Sequence, residues 1–322
     1  MAETNHTYID YVDIGDPFEY EDYEYDEYMK ISSALTIFQK ITDVFELFYY
    51  TLIVLTDIIL IILILGNSKL KGIKSNRSIM HFSVFNLSLI LSFPMFSIIF
   101  PLFNLNRFVN RNFYCFEFQI QSTAVLGIFL TGFVLSFHWL VDINYQTANP
   151  VFKTFDSFSI LITYVLCFLK LIIDIPFCFL HINGWNVIIL MLLVLFIIIF
   201  VLVCDCKRKT INKQKNYPLT IANIIILSWM PLFIFQLLIE SLRFEYIARQ
   251  ILESILFIPE LMAFGSPIII IIWLGFNNKQ FKSGLKNILN RFPCRSNVDY
   301  TIKDDSEDDE DVGNGEDEAA IL

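Results

Sequence analysis

Four ionisable residues stand out inside the long apolar runs of this sequence: Asp57, Lys170, Asp174 and Glu260. A charge in such a setting costs about 2.5–3.5 kcal/mol on insertion scales, so these side chains are expected to face one another or a polar cavity. Lys170 and Asp174 are four residues apart, on one face of a helix, and can pair. A mutually satisfied structural pair and a ligand contact are both open readings. Glu260 has no basic residue near it in its own run, which suits the positive group of a ligand. The chemistry in view is recognition of charge. His6, His81, His138 and His181 have no spacing for a metal or a catalytic triad, and Cys204-Asp205-Cys206 has no second ligand cluster nearby. The expectation is no enzyme, no metal and no cofactor.

A second group of residues points the same way. The first 28 residues hold ten Asp/Glu, no Lys or Arg, and six tyrosines: Tyr8, Tyr11, Tyr20, Tyr23, Tyr25 and Tyr28. Tyrosine in acidic, extracellular, disordered sequence is what sulfotransferases modify, and sulfation would add charge that steers a basic protein at long range. Tyr20, Tyr23, Tyr25 and Tyr28 are the expected first contacts of such a ligand. A solvated acidic tail with no partner is the alternative, weakened by the scarcity of aromatics in purely solvating tails.

These residues need a framework to hold them. Apolar residues make up 55% of the 322 and charged residues 17%, against roughly 25% charged in soluble domains. The last 24 residues, from Asp299, carry eleven acids and one Lys, so each tail is −10 and the middle is +10. An apolar, basic middle between acidic tails excludes a soluble enzyme core and a nucleic-acid binder, and makes membrane lipid the surroundings. Seven runs are long enough to cross a bilayer as helices: Val44–Leu65, Ile79–Phe103, Cys115–Val141, Phe158–Leu180, Val187–Val203, Leu219–Ile239 and Ile251–Phe276. The expected fold is an all-α membrane protein, a seven-transmembrane helix bundle. Residues 1–43 form an acidic tail, 44–276 the bundle, 277–298 an amphipathic helix with a basic juxtamembrane segment, and 299–322 an acidic disordered tail. A transporter is disfavoured by the lack of an internal repeat or paired broken helices.

Fifteen Lys and Arg fall on one side of the seven spans and six on the other. The positive-inside bias puts the N-terminus outside and the C-terminus in the cytosol. Asn5-His6-Thr7 is then a glycosylation sequon on the outside, whereas Asn76-Arg77-Ser78 falls in a cytosolic loop. Cys115 and Cys178 both reach the outer face, where disulfides persist. A Cys115–Cys178 bridge is predicted, with two free buried thiols as the alternative.

Seven helices, an outer N-terminus and a Cys joining the third span to the second outer loop resemble a rhodopsin-like G-protein-coupled receptor. The resemblance covers about residues 44–290. Leu65-Gly66-Asn67 ends the first span as the family's Gly-Asn does, Ser228-Trp229-Met230-Pro231 is close to its Cys-Trp-x-Pro, and Phe276 to Leu289 matches its membrane-lying eighth helix. Within the family the chain is most similar to chemokine receptors, in particular the divergent ones encoded by poxviruses. Ser92-Phe93-Pro94 resembles the Thr-x-Pro that kinks their second span, and Glu260 lies 21 residues before Phe281, the spacing they show between pocket Glu and eighth-helix Phe. The tail and the third outer loop lack Cys, so that family's second outer bridge is missing.

The resemblance implies a basic chemokine as ligand and the plasma membrane of a host cell as location. It implies Trp229, Pro231, Asp142 and Asn86 as switch positions. Three of the family's polar switch elements are altered. Asp142-Ile143-Asn144 stands where Asp-Arg-Tyr is expected, so the Arg that engages a host G protein is gone. Asn-Pro-x-x-Tyr falls on Ile270-Ile271-Ile272-Trp273-Leu274. Asn86 stands where the family has its sodium-binding Asp. The expectation is a ligand-binding receptor with impaired G-protein coupling, a decoy that sequesters its ligand and modulates immunity. The alternatives are a constitutively active receptor and a receptor-like protein that binds no chemokine and pairs with host receptors. In the inner tail, Ser306 before three acids fits an acidophilic kinase site, and Asp317 to Ile321-Leu322 loosely resembles an acidic dileucine sorting signal.

Overall fold

A computed structural model describes residues 18–92, 94–102, 111–144, 150–180, 185–208, 217–241 and 246–291, with the side chains of 18–32, 97, 101–102, 111–112, 177–180, 185–189, 240–241, 246–248, 250, 253 and 287–291 excepted. Secondary structure among the described residues is entirely helical. Apolar backbone away from water must pair its own N–H and C=O groups, and a helix does so within one segment. Among the described residues, seven helices are long and apolar enough to cross a membrane: Ser33–Gly66, Lys74–Phe100, Phe113–Ile143, Pro150–Pro176, Leu190–Lys207, Tyr217–Ile239 and Phe257–Asn277. The chain is a multi-pass membrane protein.

The first helix, α1 (Phe18–Gly66), starts far ahead of the first apolar run. The backbone that carries Tyr20, Tyr23, Tyr25 and Tyr28 is therefore helical and continuous with the first span, not the disordered tail expected for it. Acidic residues in an opening turn agree with the helix dipole, and the apolar turns that follow give the helix a nucleus to extend from. Asn67 then caps the short α2 (Ser68–Lys71), its side chain accepting from the Lys69 N–H.

The second span is described as α3 (Lys74–Ser92) and α4 (Pro94–Leu102), with residue 93 between them outside the described residues. Three long helices follow: α5 (Arg111–Ile143), α6 (Pro150–Leu180) and α7 (Trp185–Lys207). The sixth span is α8 (Tyr217–Ser241), with Pro231 inside it.

The seventh apolar run does not form one helix. Residues 251–255 belong to α9 (Tyr246–Ile255), and the span itself is α10 (Phe257–Phe264) followed by α11 (Ser266–Asn277). The break falls at Gly265, where a side chain would strike the Tyr49 hydroxyl and the Leu261 carbonyl. After Asn278 comes α12 (Lys279–Arg291).

Among the spans, α5 is the most enclosed, whereas α6 shows most of its surface to the outside. Exposed Phe158, Leu161, Val165, Phe168 and Leu169 on α6 suit a hydrocarbon solvent. Inside, Leu60, Phe82, Leu89, Phe129, Ile225, Trp229, Phe264 and Leu274 belong to one continuous core. Gly127 of α5 lets the Phe85 ring of α3 lie directly against the backbone, where any Cβ would collide with it. A smaller cluster of Trp139, Cys204 and Leu219 joins α5, α7 and α8 at one end.

Candidate functional site

At the other end, α10 is tied to α1 by a run of aromatic contacts. The Tyr49 hydroxyl donates a 3.0 Å hydrogen bond to the Leu261 carbonyl, in the room that Gly265 leaves. Its neighbour Tyr50 is buried and meets Phe264 edge-on at 5.8 Å. Phe264 meets Trp229 of α8 at 5.7 Å. Trp229 in turn meets Phe129 of α5 at 5.7 Å, and Phe129 meets Phe233 at 6.3 Å. Edge-to-face geometry sets the ring edges against neighbouring π faces, which adds about 0.5–1.5 kcal/mol per pair beyond burial.

Trp229, Phe233 and Phe264 form an aromatic floor to a cavity of about 530 Å³ lined by α3, α5, α6, α7, α8, α9 and α10. That volume lies in the ordinary range for ligand sites, which bury apolar surface and orient it with few polar groups. The polar groups here are Gln119, Gln121, Ser122, Lys170, Asp174, Gln236, Arg249 and Glu260. Lys170 Nζ donates to Asp174 Oδ2 at 2.6 Å and to Ser122 Oγ at 2.7 Å. Its charge is thus held against one wall. Half-buried Glu260 is on the α10 side, within electrostatic range of Glu46. The indole N–H of Trp229 is buried with no acceptor among the described residues. Such a cavity can hold an apolar group on the aromatic floor while Glu260 takes a positive charge.

No protein-family model matches the sequence, and no curated protein matches it. The residues themselves therefore carry the argument.

Of the four charges singled out in the sequence, Glu260, Lys170 and Asp174 come together around this cavity. Asp57 does not. It lies deeper in the bundle, fully buried, and accepts a hydrogen bond from Asn86. Asn86, expected as a switch position, is neutral, and a carboxylate from α1 stands beside it. Trp229 and Pro231 both lie in α8, Trp229 in the floor. Asp142 is exposed near the end of α5, beside a second cavity of about 320 Å³ that also touches Lys74, His138, Lys153 and Asp156. Cys115 is disulfide-bonded. The Cys178 side chain lies outside the described residues, as do Asn5 and the side chains of Tyr20, Tyr23, Tyr25 and Tyr28.

Three buried or half-buried acids escaped the sequence reading. Glu46 and Glu117 lie inside apolar runs, so the rule that singled out Asp57 would have found them; Glu117 is buried with one oxygen unpartnered among the described residues. Asp156 precedes the apolar run assigned to its span, and α6 begins at Pro150 instead. It accepts 2.9 Å bonds from Lys74 of α3 and from His138 of α5, joining three helices at the end opposite the Glu260 cavity. Partners so distant in sequence leave no local pattern to read.

Proposed function

We propose that the chain is a rhodopsin-like seven-helix receptor, similar to chemokine receptors of the poxvirus-encoded kind. It lies in the plasma membrane of a host cell, with the N-terminus extracellular and α12 along the inner surface. A basic protein ligand, a chemokine by this reading, meets the acidic segment of α1 first. Part of it then enters the cavity, where Glu260 receives a positive group. The observation that carries this reading is the cavity itself: an aromatic floor with a half-buried carboxylate in its wall, at the end of the bundle where α1 carries Glu46 and Tyr50 beside Glu260. The motif resemblances agree with it.

Impaired coupling to a host G protein belongs to the same proposal. The position expected to carry the family's Arg is Ile143 or Leu140, neither of which can pair with an acidic or backbone group of a partner. The receptor then binds and removes its ligand.

Binding of labelled chemokines to cells expressing the full chain tests the proposal, with Glu260→Gln as comparison. Saturable binding to the parent, weakened about tenfold or more by loss of the charge, is expected. Binding equal in parent and variant removes Glu260 from the site, and no binding of any basic chemokine favours pairing with host receptors. Calcium release and cAMP inhibition, with and without bound ligand, test the coupling. A strong ligand-dependent response would exclude the decoy, and high ligand-free activity would favour a constitutively active receptor.

A further inference from the structure

The first helix has two apolar faces, and the bundle uses one of them. The inward face carries Tyr50, Ile53, Leu60 and Leu63, all buried in the core. On the outward face Ile41, Phe48, Leu55 and Ile62 recur every seven residues. Between them Ile37, Val44, Thr51, Ile58 and Leu65 recur at the same interval, and every one of these outward positions is exposed. Apolar residues alternately three and four apart form the a/d seam of a left-handed coiled coil. Two helices bearing such a seam wind together, each knob entering a hole on its partner.

Lipid alone does not account for this face. The apolar part of the helix, Ser33–Gly66, has 34 residues, about 51 Å at 1.5 Å per residue. The hydrocarbon layer is about 30 Å thick. Lys69, Lys71 and Lys74 follow Gly66 and hold that end at the membrane surface. Even a helix tilted by about 30° leaves room for only about 23 residues in the hydrocarbon. Ile37 and Ile41 therefore stand beyond it, yet they are 59% and 65% exposed. Contiguous apolar surface left in water is where proteins meet. The seven-residue spacing passes unbroken from that aqueous part into the bilayer, so one partner helix fits both. By count, the next seam positions toward the N-terminus are Ala34, Lys30 and Glu27; the two charges end the apolar run.

We propose that α1 pairs with α1 of a second copy of this chain, in a parallel two-stranded coiled coil that begins at Ile37 beyond the bilayer and runs through it to Leu65. Two copies in one membrane share an orientation, so their first helices are parallel, as a two-fold a/d pairing requires. A second copy brings the identical seam at the identical height, so Ile41 faces Ile41 and the aqueous turns cover each other. Inside the bilayer there is no hydrophobic drive between helices, and packing alone favours association. The aqueous turns add that drive and decide the pairing. Like charges in the acidic first 28 residues oppose extension of the seam past Lys30. The pairing needs no ligand and stands apart from the receptor reading.

Cysteine cross-linking of the full chain in cell membranes tests the seam. In a background of Cys206→Ser and Cys294→Ser, one cysteine is added at a time. Ile37→Cys, Ile41→Cys and Val44→Cys lie on the seam. Gln39→Cys lies on the same turns but away from it, and Gln39 is equally exposed. Two co-expressed copies with different tags identify the product. Mild oxidation should yield a dimer of this chain from the seam positions, at least about fivefold more than from Gln39→Cys, because a and d positions face their counterparts and f points away. Ile41→Glu, added to the Val44→Cys chain, should lower its cross-linked fraction about tenfold or more, since like charges set face to face oppose association. That substitution falls in an exposed aqueous turn, so the surface level of the chain should not change. Equal yields on and off the seam, or a yield that Ile41→Glu leaves unchanged, mark random collision of a lipid-facing helix and overturn the pairing. No dimer from any seam position overturns it as well, as does a product that holds a different protein in place of the second copy.

Discussion

Asn86 donates its side-chain amide to the Asp57 carboxylate at 2.8 Å, and neither residue has any exposed surface. The acid is on α1 and the amide on α3, so the pair joins neighbouring helices in the middle of the bundle. Converting the amide to a second acid should set two carboxylates face to face without water. Asn86→Asp is expected to destabilise the chain by about 3 kcal/mol or more, through an uncompensated buried charge. The exchanged pair, Asp57→Asn with Asn86→Asp, restores one acid and one amide and should recover most of that loss. Thermal unfolding in one detergent compares the three. A double variant no better than Asn86→Asp would show that the position of the acid, and not the pairing, is what the bundle requires.

Gly265 and Tyr49 form a second coupled pair. Any side chain at 265 meets the Tyr49 hydroxyl, which itself donates to the Leu261 carbonyl. Gly265→Ala should cost about 1–3 kcal/mol, as overpacking of a tight contact does. With Tyr49→Phe already in place the obstructing oxygen is gone, and the added cost of Gly265→Ala should fall by about half. Equal costs in both backgrounds would put the obstruction elsewhere, since contacting residues couple and distant ones do not.

The two readings of Lys170 and Asp174 make opposite forecasts. Lys170→Met leaves Asp174 buried without its cation and should destabilise the chain by about 3–5 kcal/mol, whereas replacing both residues with Met and Leu should be close to neutral. If the double variant is stable and still binds ligand as the parent does, the pair is structural. If it is stable and binding falls several-fold, the pair contacts the ligand.

Salt separates capture by the acidic segment from capture by the cavity. Phe at Tyr20, Tyr23, Tyr25 and Tyr28, or expression without sulfotransferase activity, should weaken binding several-fold. In the parent, raising ionic strength shortens the screening length from about 10 Å at 0.1 M to about 3 Å at 1 M, and the association rate should fall with it. The fall should be smaller in the Phe variant. Unchanged affinity and unchanged salt dependence would reduce the segment to solvated surface.

The seven apolar runs were legible because length and hydropathy are local properties: the run from 188 to 203 is long and apolar enough to cross a membrane as a helix. The breaks around α10 were less so. Pro259 and Pro267 are visible, but the need for glycine at 265 comes from a tyrosine hydroxyl on another helix. Glu260 was legible as an acid without a cation in its run, and the cavity it faces was not, since its walls come from seven helices. Tyr217, outside the apolar run assigned to its span, carried no signal until Asn76, 141 residues away, was seen to accept its hydrogen bond.

The unbroken course of α1 has a mechanical side. Ahead of Val44, where the first apolar run starts, twenty-six helical residues remain, a rod of about 39 Å at 1.5 Å per residue. A flexible string of that length would sweep a volume and would have to be straightened by whatever grasped it, at about 1–2 kcal/mol for each residue frozen. A rod needs no straightening. It stands as a fixed mast, so the distance between its tip and the bilayer is set before any encounter, and a visitor must match that height to touch the mast and the bundle together.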